Sequence, residues 1–146
     1  MLIFAALFVS MSYRLTVVVP VYNEQDNLLR VEKVFKDYFE IAAVPTQVLF
    51  VNDGSKDRSQ ELIEEICARS EGFQYISFAQ NCGLSAAIKA GFDYTTTPLV
   101  GYIDSDLQTT PEDFNILIKY AEEYDLVTGH RADRKDSFVY WEKSIC

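Results

Sequence analysis

The sequence predicts an α/β protein whose largely parallel sheet is covered by helices on both faces, in a three-layer α/β/α sandwich. Three observations lead there. Short apolar, β-branched runs alternate along the chain with amphipathic stretches of helical period. The runs are continuous rather than alternating, as in strands buried on both faces. Several of them end in dense turn signals, which gathers polar groups along one rim of the sheet. Ligands of such sheets sit beyond the carboxyl ends of the strands.

Leu15 to Val19 (LTVVV), ended by Pro20, is the first strand. A helix is expected from about Gln25 to Ile41, where Leu28, Leu29, Val31, Val34, Phe35, Tyr38 and Phe39 recur at three-to-four spacing. Gln47 to Val51 is the second strand, stopped by Asn52-Asp53-Gly54-Ser55. A second helix runs from about Arg58 to Arg69, with Leu62, Ile63 and Ile66 on one side. Phe73 to Phe78 reads as a strand, Gly83 to Tyr94 as an alanine-rich helix and Leu99 to Ile103 as a fourth strand. Thr110 is placed to cap a fourth helix, with Pro111 at its first position and Glu112 and Asp113 where the dipole favours anions. That helix is expected to reach Tyr124, and Asp125 to Gly129 to form a fifth strand, after which the sheet is truncated.

The bulk numbers narrow the function. At 146 residues there is room for one domain with a real core. A formal net charge of −9 argues against nucleic acid, whose phosphates are held by basic stripes. Cys67, Cys82 and Cys146 lack CxxC spacing and His130 is the single histidine, so neither a zinc site nor a disulfide framework is expected. Residues 1–13 form an apolar extension ahead of a domain at 14–138 and a tail at 139–146. The opening run MLIFAALFVSM falls short of the about 20 residues a bilayer span needs. It has no basic n-region, so it is a poor signal peptide. Met11 as the natural start and a short interfacial anchor remain the alternatives.

Chemistry concentrates in the segments after strands one, two and four: Pro20-Val21-Tyr22-Asn23-Glu24, Asn52-Asp53-Gly54-Ser55 and Asp104-Ser105-Asp106-Leu107-Gln108. All should open on one rim. Residues i and i+2 of an extended segment point the same way, so Asp104 and Asp106 can face one cation. Hard divalent ions such as Mg²⁺ and Mn²⁺ take oxygen ligands, commonly one or two carboxylates plus substrate phosphates. Gln108 can add an amide oxygen. After the fifth strand, Arg131, Arg134 and Lys135 form a local basic cluster able to clamp phosphate oxygens.

The segments VVVPVYNE, VNDGSKDRS, NCGLSAAIKAGF, YIDSDLQTTPED and LVTGHRADRKD resemble family 2 glycosyltransferases of the GT-A fold, in the family's order and spacing over residues 14–138. Asp104 to Gln108 most resembles the polyprenyl-phosphate and dolichyl-phosphate sugar transferases within that family. The resemblance implies that Pro20, Tyr22 and Glu24 line a base and ribose pocket, and that Asp53 contacts the nucleotide base. It implies Asp104 near ribose and metal, Asp106 as direct metal ligand, Gln108 as a further ligand, and Mg²⁺ or Mn²⁺ as the cofactor. Arg131 and Arg134 are implied near the donor diphosphate or an acceptor phosphate, which makes Asp104, Asp106 and Arg131 the candidate catalytic residues. The implied reaction inverts the anomeric centre, moving a sugar from a UDP- or GDP-linked donor to an acceptor of the polyprenyl or dolichyl phosphate type. The implied place of the full-length protein is the cytosolic face of a membrane, with an acceptor-binding region beyond Cys146.

Rival readings lack their motifs. No GxGxxG follows the first strand and no GxxxxGK[ST] occurs anywhere, which disfavours a dinucleotide fold and a P-loop NTPase. A sugar nucleotidyltransferase also wants a glycine-rich first loop. The other class to weigh is a catalytically inactive module that binds nucleotide or serves as an interaction domain.

Overall fold

The computed structural model describes residues 12–129. Its regular elements are β1 (Leu15–Val21), α1 (Leu28–Phe39), β2 (Thr46–Asn52), α2 (Ser59–Arg69), β3 (Phe73–Ser77), α3 (Leu84–Tyr94) and β4 (Leu99–Tyr102), followed by a short α4 (Phe114–Leu117). The four strands form one parallel sheet in the order β3-β2-β1-β4. β1 is buried at every position, as its unbroken apolar run implied.

Alternation along β1 divides the core. Val17, Val19 and Val21 join Val48 and Phe50 of β2 beneath α1 and α2, where Leu28, Val31, Phe35, Tyr38, Ile63 and Ile66 are buried. Val18, Leu49 and Val51 face the other way, against Ala87 of α3. This is the expected three-layer sandwich. Close approach explains the small residues of α3: a Cβ at Gly91 would lie 2.5 Å from Val18 Cγ1.

The order of the strands locates the crevice. The chain steps outward from β1 to β2 to β3 under α1 and α2, then returns through α3 to place β4 on the far side of β1. Right-handed crossovers require that reversal to put α3 on the opposite face. The reversal between β1 and β4 is the switch point where such sheets bind ligands.

Three expectations about the region after β4 need correction. In place of a single helix to Tyr124, a 3₁₀ turn (Pro111–Asp113), α4 and a second 3₁₀ turn (Ile118–Tyr120) follow one another. Phe114 packs on Gly101, where an added Cβ would meet its ring at 2.5 Å, and Ile118 packs beside it. Ile116 and Tyr120 stay exposed. With so little buried face, the segment lacks the tertiary packing that sustains a longer helix. Thr110 occupies the capping position with extended backbone, yet its side chain makes no capping hydrogen bond. Residues 125–129 form no strand, and Leu126 is 81% exposed. A strand has no hydrogen bonds of its own; without a ladder partner the segment stays irregular.

Candidate functional site

Pro20 opens the cleft. Within β1, Val18 accepts a hydrogen bond from Ile103 N–H at 3.2 Å on the β4 side, and Val21 accepts from Asp53 N–H at 2.8 Å on the β2 side. Pro20, two residues on from Val18, therefore faces the β4 side. The β1–β4 pairing ends at Val18 and Tyr102, so the missing N–H of Pro20 costs no ladder bond. Beyond that point the strands part. The resulting cleft, of about 280 Å³, is lined by Pro20, Tyr22, Glu24, Asp53, Asp104 and Asp106 together with Asn81, Gly83, Leu84, Ala87 and Ser105.

Sequence-expected site residues thus meet in one place, drawn from three separate segments. The structure also shows how their loops are held. Asn23 N–H donates to Ser55 Oγ at 3.0 Å, Glu24 N–H to Ser59 Oγ at 2.9 Å, and Gln25 N–H to Asp57 Oδ2 at 3.2 Å. In return Lys56 N–H donates to Asn23 Oδ1 at 2.8 Å and Arg58 N–H to Gln25 Oε1 at 3.0 Å. The loops after β1 and β2 are laced side chain to backbone in both directions. Burial pushes the Asp57 carboxyl up, but hydrogen bonds from Ser59 and from the Gln25 backbone outweigh it, and its pKa falls below the ordinary value. Asn23 takes a left-handed φ of 55°, which Asn tolerates better than most residues. The Glu24 carboxylate accepts from Asn27 Nδ2 at 2.6 Å, just ahead of α1.

Asp53 is buried and already engaged. Its carboxylate accepts from Cys82 N–H at 2.6 Å, Gly83 N–H at 2.9 Å and Asn81 Nδ2 at 2.9 Å. A carboxylate offers about four lone-pair sites, so little capacity is left for a ligand. Its first task is to hold the loop that starts α3. The Asn81–Gly83 loop, marked in the sequence only within the NCGLSAAIKAGF resemblance, is also part of the cleft wall. Its signal was an Asn-x-Gly turn closing the third strand on the same rim.

Asp104 and Asp106 are exposed on either side of the buried Ser105, but they sit in a turn, Leu107 N–H donating to Asp104 O at 3.3 Å, rather than in the extended segment the i, i+2 argument assumed. Tyr102 donates its hydroxyl to Asp104 Oδ1, and Gln108 N–H donates to Asp106 Oδ1 at 3.0 Å. Burial, then the hydrogen bond to Asp104, raises the Tyr102 pKa, so the phenol stays a donor near neutral pH. The Gln108 side chain is exposed on the adjoining turn rather than lining the cleft. Among the described residues no group of three or more His, Cys, Asp or Glu gathers around a point. A pair of carboxylates at a ligand cleft still fits Mg²⁺ or Mn²⁺, which complete their shells with water and substrate phosphates. Arg131, Arg134 and Lys135 lie outside the described residues.

A larger cavity, about 760 Å³, opens at the other end of the sheet. Among the described residues no Asp, Glu, Lys, Arg or His lines it. Its polar groups bond to one another: Thr16 Oγ1 and Thr97 Oγ1 lie 2.7 Å apart, Gln47 Nε2 donates to Thr16 Oγ1 at 2.9 Å, and Gln74 Nε2 to Gln47 Oε1 at 2.8 Å. The carboxylates gather at the smaller cleft instead.

Known proteins bear on the family and the fold. The family described as Glycosyl transferase family 2 matches residues 16–146. An undecaprenyl-phosphate 4-deoxy-4-formamido-L-arabinose transferase of Edwardsiella ictaluri is 37% identical over 126 residues, covering 84% of this chain and 38% of the relative. The chain thus spans under two fifths of the length of this relative. Among solved structures, a mannosyltransferase of Pyrobaculum calidifontis in complex with GDP-Man and Mn²⁺ superposes with a TM-score of 0.63 at 19% identity, over 78% of this chain and 34% of that one. A glucosyl-3-phosphoglycerate synthase of Mycobacterium tuberculosis in complex with Mn²⁺, UDP and glucosyl-3-phosphoglycerate does so with a TM-score of 0.58 at 19% identity, over 75% and 39%. At that identity the two structures speak for a shared fold.

Proposed function

The chain belongs to glycosyl transferase family 2, and from that premise we propose that it binds a nucleoside diphosphate sugar for transfer to a polyprenyl-type phosphate. The observation that carries this reading is the single cleft at the switch point, shared by Pro20, Tyr22, Glu24, Asp53, Asp104 and Asp106. Tyr22, 43% exposed, offers a ring face to a base or ribose, and Glu24 offers acceptor oxygens to sugar hydroxyls.

Asp104 and Asp106 are the residues that would hold Mg²⁺ or Mn²⁺, with Gln108 adjacent. When bound, the cation would neutralise charge on the diphosphate leaving group. The protein itself orients the donor against the loops laced after β1 and β2, and a rigid cleft of this sort contributes alignment. A phosphate acceptor has a second pKa of about 6, so it is already anionic near neutral pH and needs no general base. It attacks the anomeric carbon in line with the departing nucleotide, which inverts that centre. Arg131 and Arg134 are assigned to phosphate oxygens by their chemistry, since guanidinium pairs with phosphate bidentately. Among the described residues no helix is long and apolar enough to cross a membrane. The proposed place of action is a membrane face, where a lipid phosphate is presented.

Calorimetric titration of UDP and of GDP, each with Mn²⁺, with Mg²⁺ and with EDTA, tests the reading alongside Asp106→Asn. Metal-dependent binding of one nucleotide, lost in the variant, is the expected result. Binding of neither nucleotide under any of these conditions would sink it.

A further inference from the structure

We infer that Tyr102 is a positioning residue for the paired carboxylates, a role that rests on the metal-assisted donor site proposed above. Each of the two carboxylates has its Oδ1 held by one hydrogen bond. Asp104 Oδ1 accepts from the Tyr102 hydroxyl, and Asp106 Oδ1 accepts from the Gln108 backbone N–H at 3.0 Å. Both aspartates line the cleft. Each side chain thus has one oxygen held by a hydrogen bond while it faces the cleft where a cation would sit.

The two pins differ in kind. The one on Asp106 comes from backbone, in the tight turn where Leu107 has a φ of 53°, and no side-chain substitution removes it directly. The pin on Asp104 is a single phenol, presented from the last residue of β4 on the same face of the extended chain as Asp104. Because α3 covers β1 and β2 but leaves this part of β4 open, the Tyr102 ring is 36% exposed and bears little of the core. Its hydroxyl is accordingly free to serve the site at small structural consequence. Groups that hydrogen-bond to metal-ligating carboxylates orient them, and their loss typically weakens metal affinity about 10–100-fold.

Tyr102→Phe keeps the ring and removes only the donor. Free Mn²⁺ is followed by electron paramagnetic resonance during titration of the full chain, with UDP and with GDP in parallel, against protein-free nucleotide blanks. Wild type, Tyr102→Phe and Asp106→Asn are compared, and the melting midpoint of each is recorded. The expected result is a Kd for Mn²⁺ raised about 10–100-fold in Tyr102→Phe, at an unchanged melting midpoint. Wild-type Mn²⁺ affinity in Tyr102→Phe, with binding lost in Asp106→Asn, overturns the role of Tyr102 and leaves the metal site standing. Equal or absent Mn²⁺ binding in wild type and Asp106→Asn overturns the metal site and the inference together. A lowered midpoint with unchanged affinity would mark Tyr102 as structural and also overturn the inference.

Discussion

The Asp53 carboxylate closes the start of α3 from 30 residues away, taking the Gly83 N–H at 2.9 Å while Cys82 N–H and Asn81 Nδ2 complete its shell. Helix α3 begins at a glycine that has no side chain to cap it, and the orphan donors at that end need an acceptor. Asp53 supplies one from the neighbouring loop, and its negative charge suits the positive end of the helix dipole.

Asp53→Asn replaces one acceptor oxygen with a donor that faces N–H groups. The expected cost is about 1–3 kcal/mol in urea denaturation, because the Cys82 and Gly83 amides lose an acceptor. Faster hydrogen exchange at those two amides is the accompanying local signature. An unchanged denaturation midpoint with unchanged exchange would refute the capping role.

Helix α3 sits on the sheet through Gly91, where a Cβ would lie 2.5 Å from Val18 Cγ1 and 2.9 Å from Cγ2. Gly91→Ala therefore overpacks the interface by about 1–3 kcal/mol, partly offset by the better helix propensity of alanine. Val18→Ala removes the methyl groups in the way. In a double-mutant cycle the two changes should couple favourably by about 1 kcal/mol or more. Simple additivity would show that the helix shifts instead of the valine.

Glu32 on α1 accepts from Arg69 Nε at 3.1 Å and Nη2 at 2.5 Å, and from Ser70 Oγ at 2.6 Å, which ties α1 to the end of α2. The Arg69 hydrogen bond, opposed by desolvation and supported by Ser70, holds the Glu32 pKa down at about 2. A depressed carboxylate gives its stabilisation in full above the unfolded pKa and loses it as pH falls through the folded one. The contribution should be complete above about pH 4.5 and fade toward about pH 2. Arg69 is half exposed, so solvent screening limits the effect to about 1–2 kcal/mol. Glu32→Gln should lower stability at pH 7 by that amount and flatten the acid limb of the stability curve. Parallel acid limbs in wild type and variant would contradict this.

Much of the fold was legible because its signals are local. The short apolar runs at 15–19 and 47–51, bounded by turn signals, read as strands with two covered faces, and the three-to-four spacing from Leu28 to Phe39 reads as a helix with one. The segment 111–129 misled for the opposite reason. Its proline start and acidic first turn are sound local signals, yet length and pairing there depend on neighbours, which bury Pro111 and half-bury Phe114 and Ile118 but leave Ile116 and Tyr120 exposed.

At the site, sequence determined which residue types stand where: the i, i+2 aspartates, the turn after each strand, the acidic loops on one rim. Tertiary structure alone decided what each of them touches. Nothing local told that Asn23, Gln25, Ser55 and Asp57 bind each other's loops, that Asp53 holds Gly83, or that Tyr102 pins Asp104. The reason is physical. A side chain's chemistry and the period of its segment are properties of the chain itself, whereas a hydrogen-bond partner about 30 residues away exists only once strand order has brought the loops together.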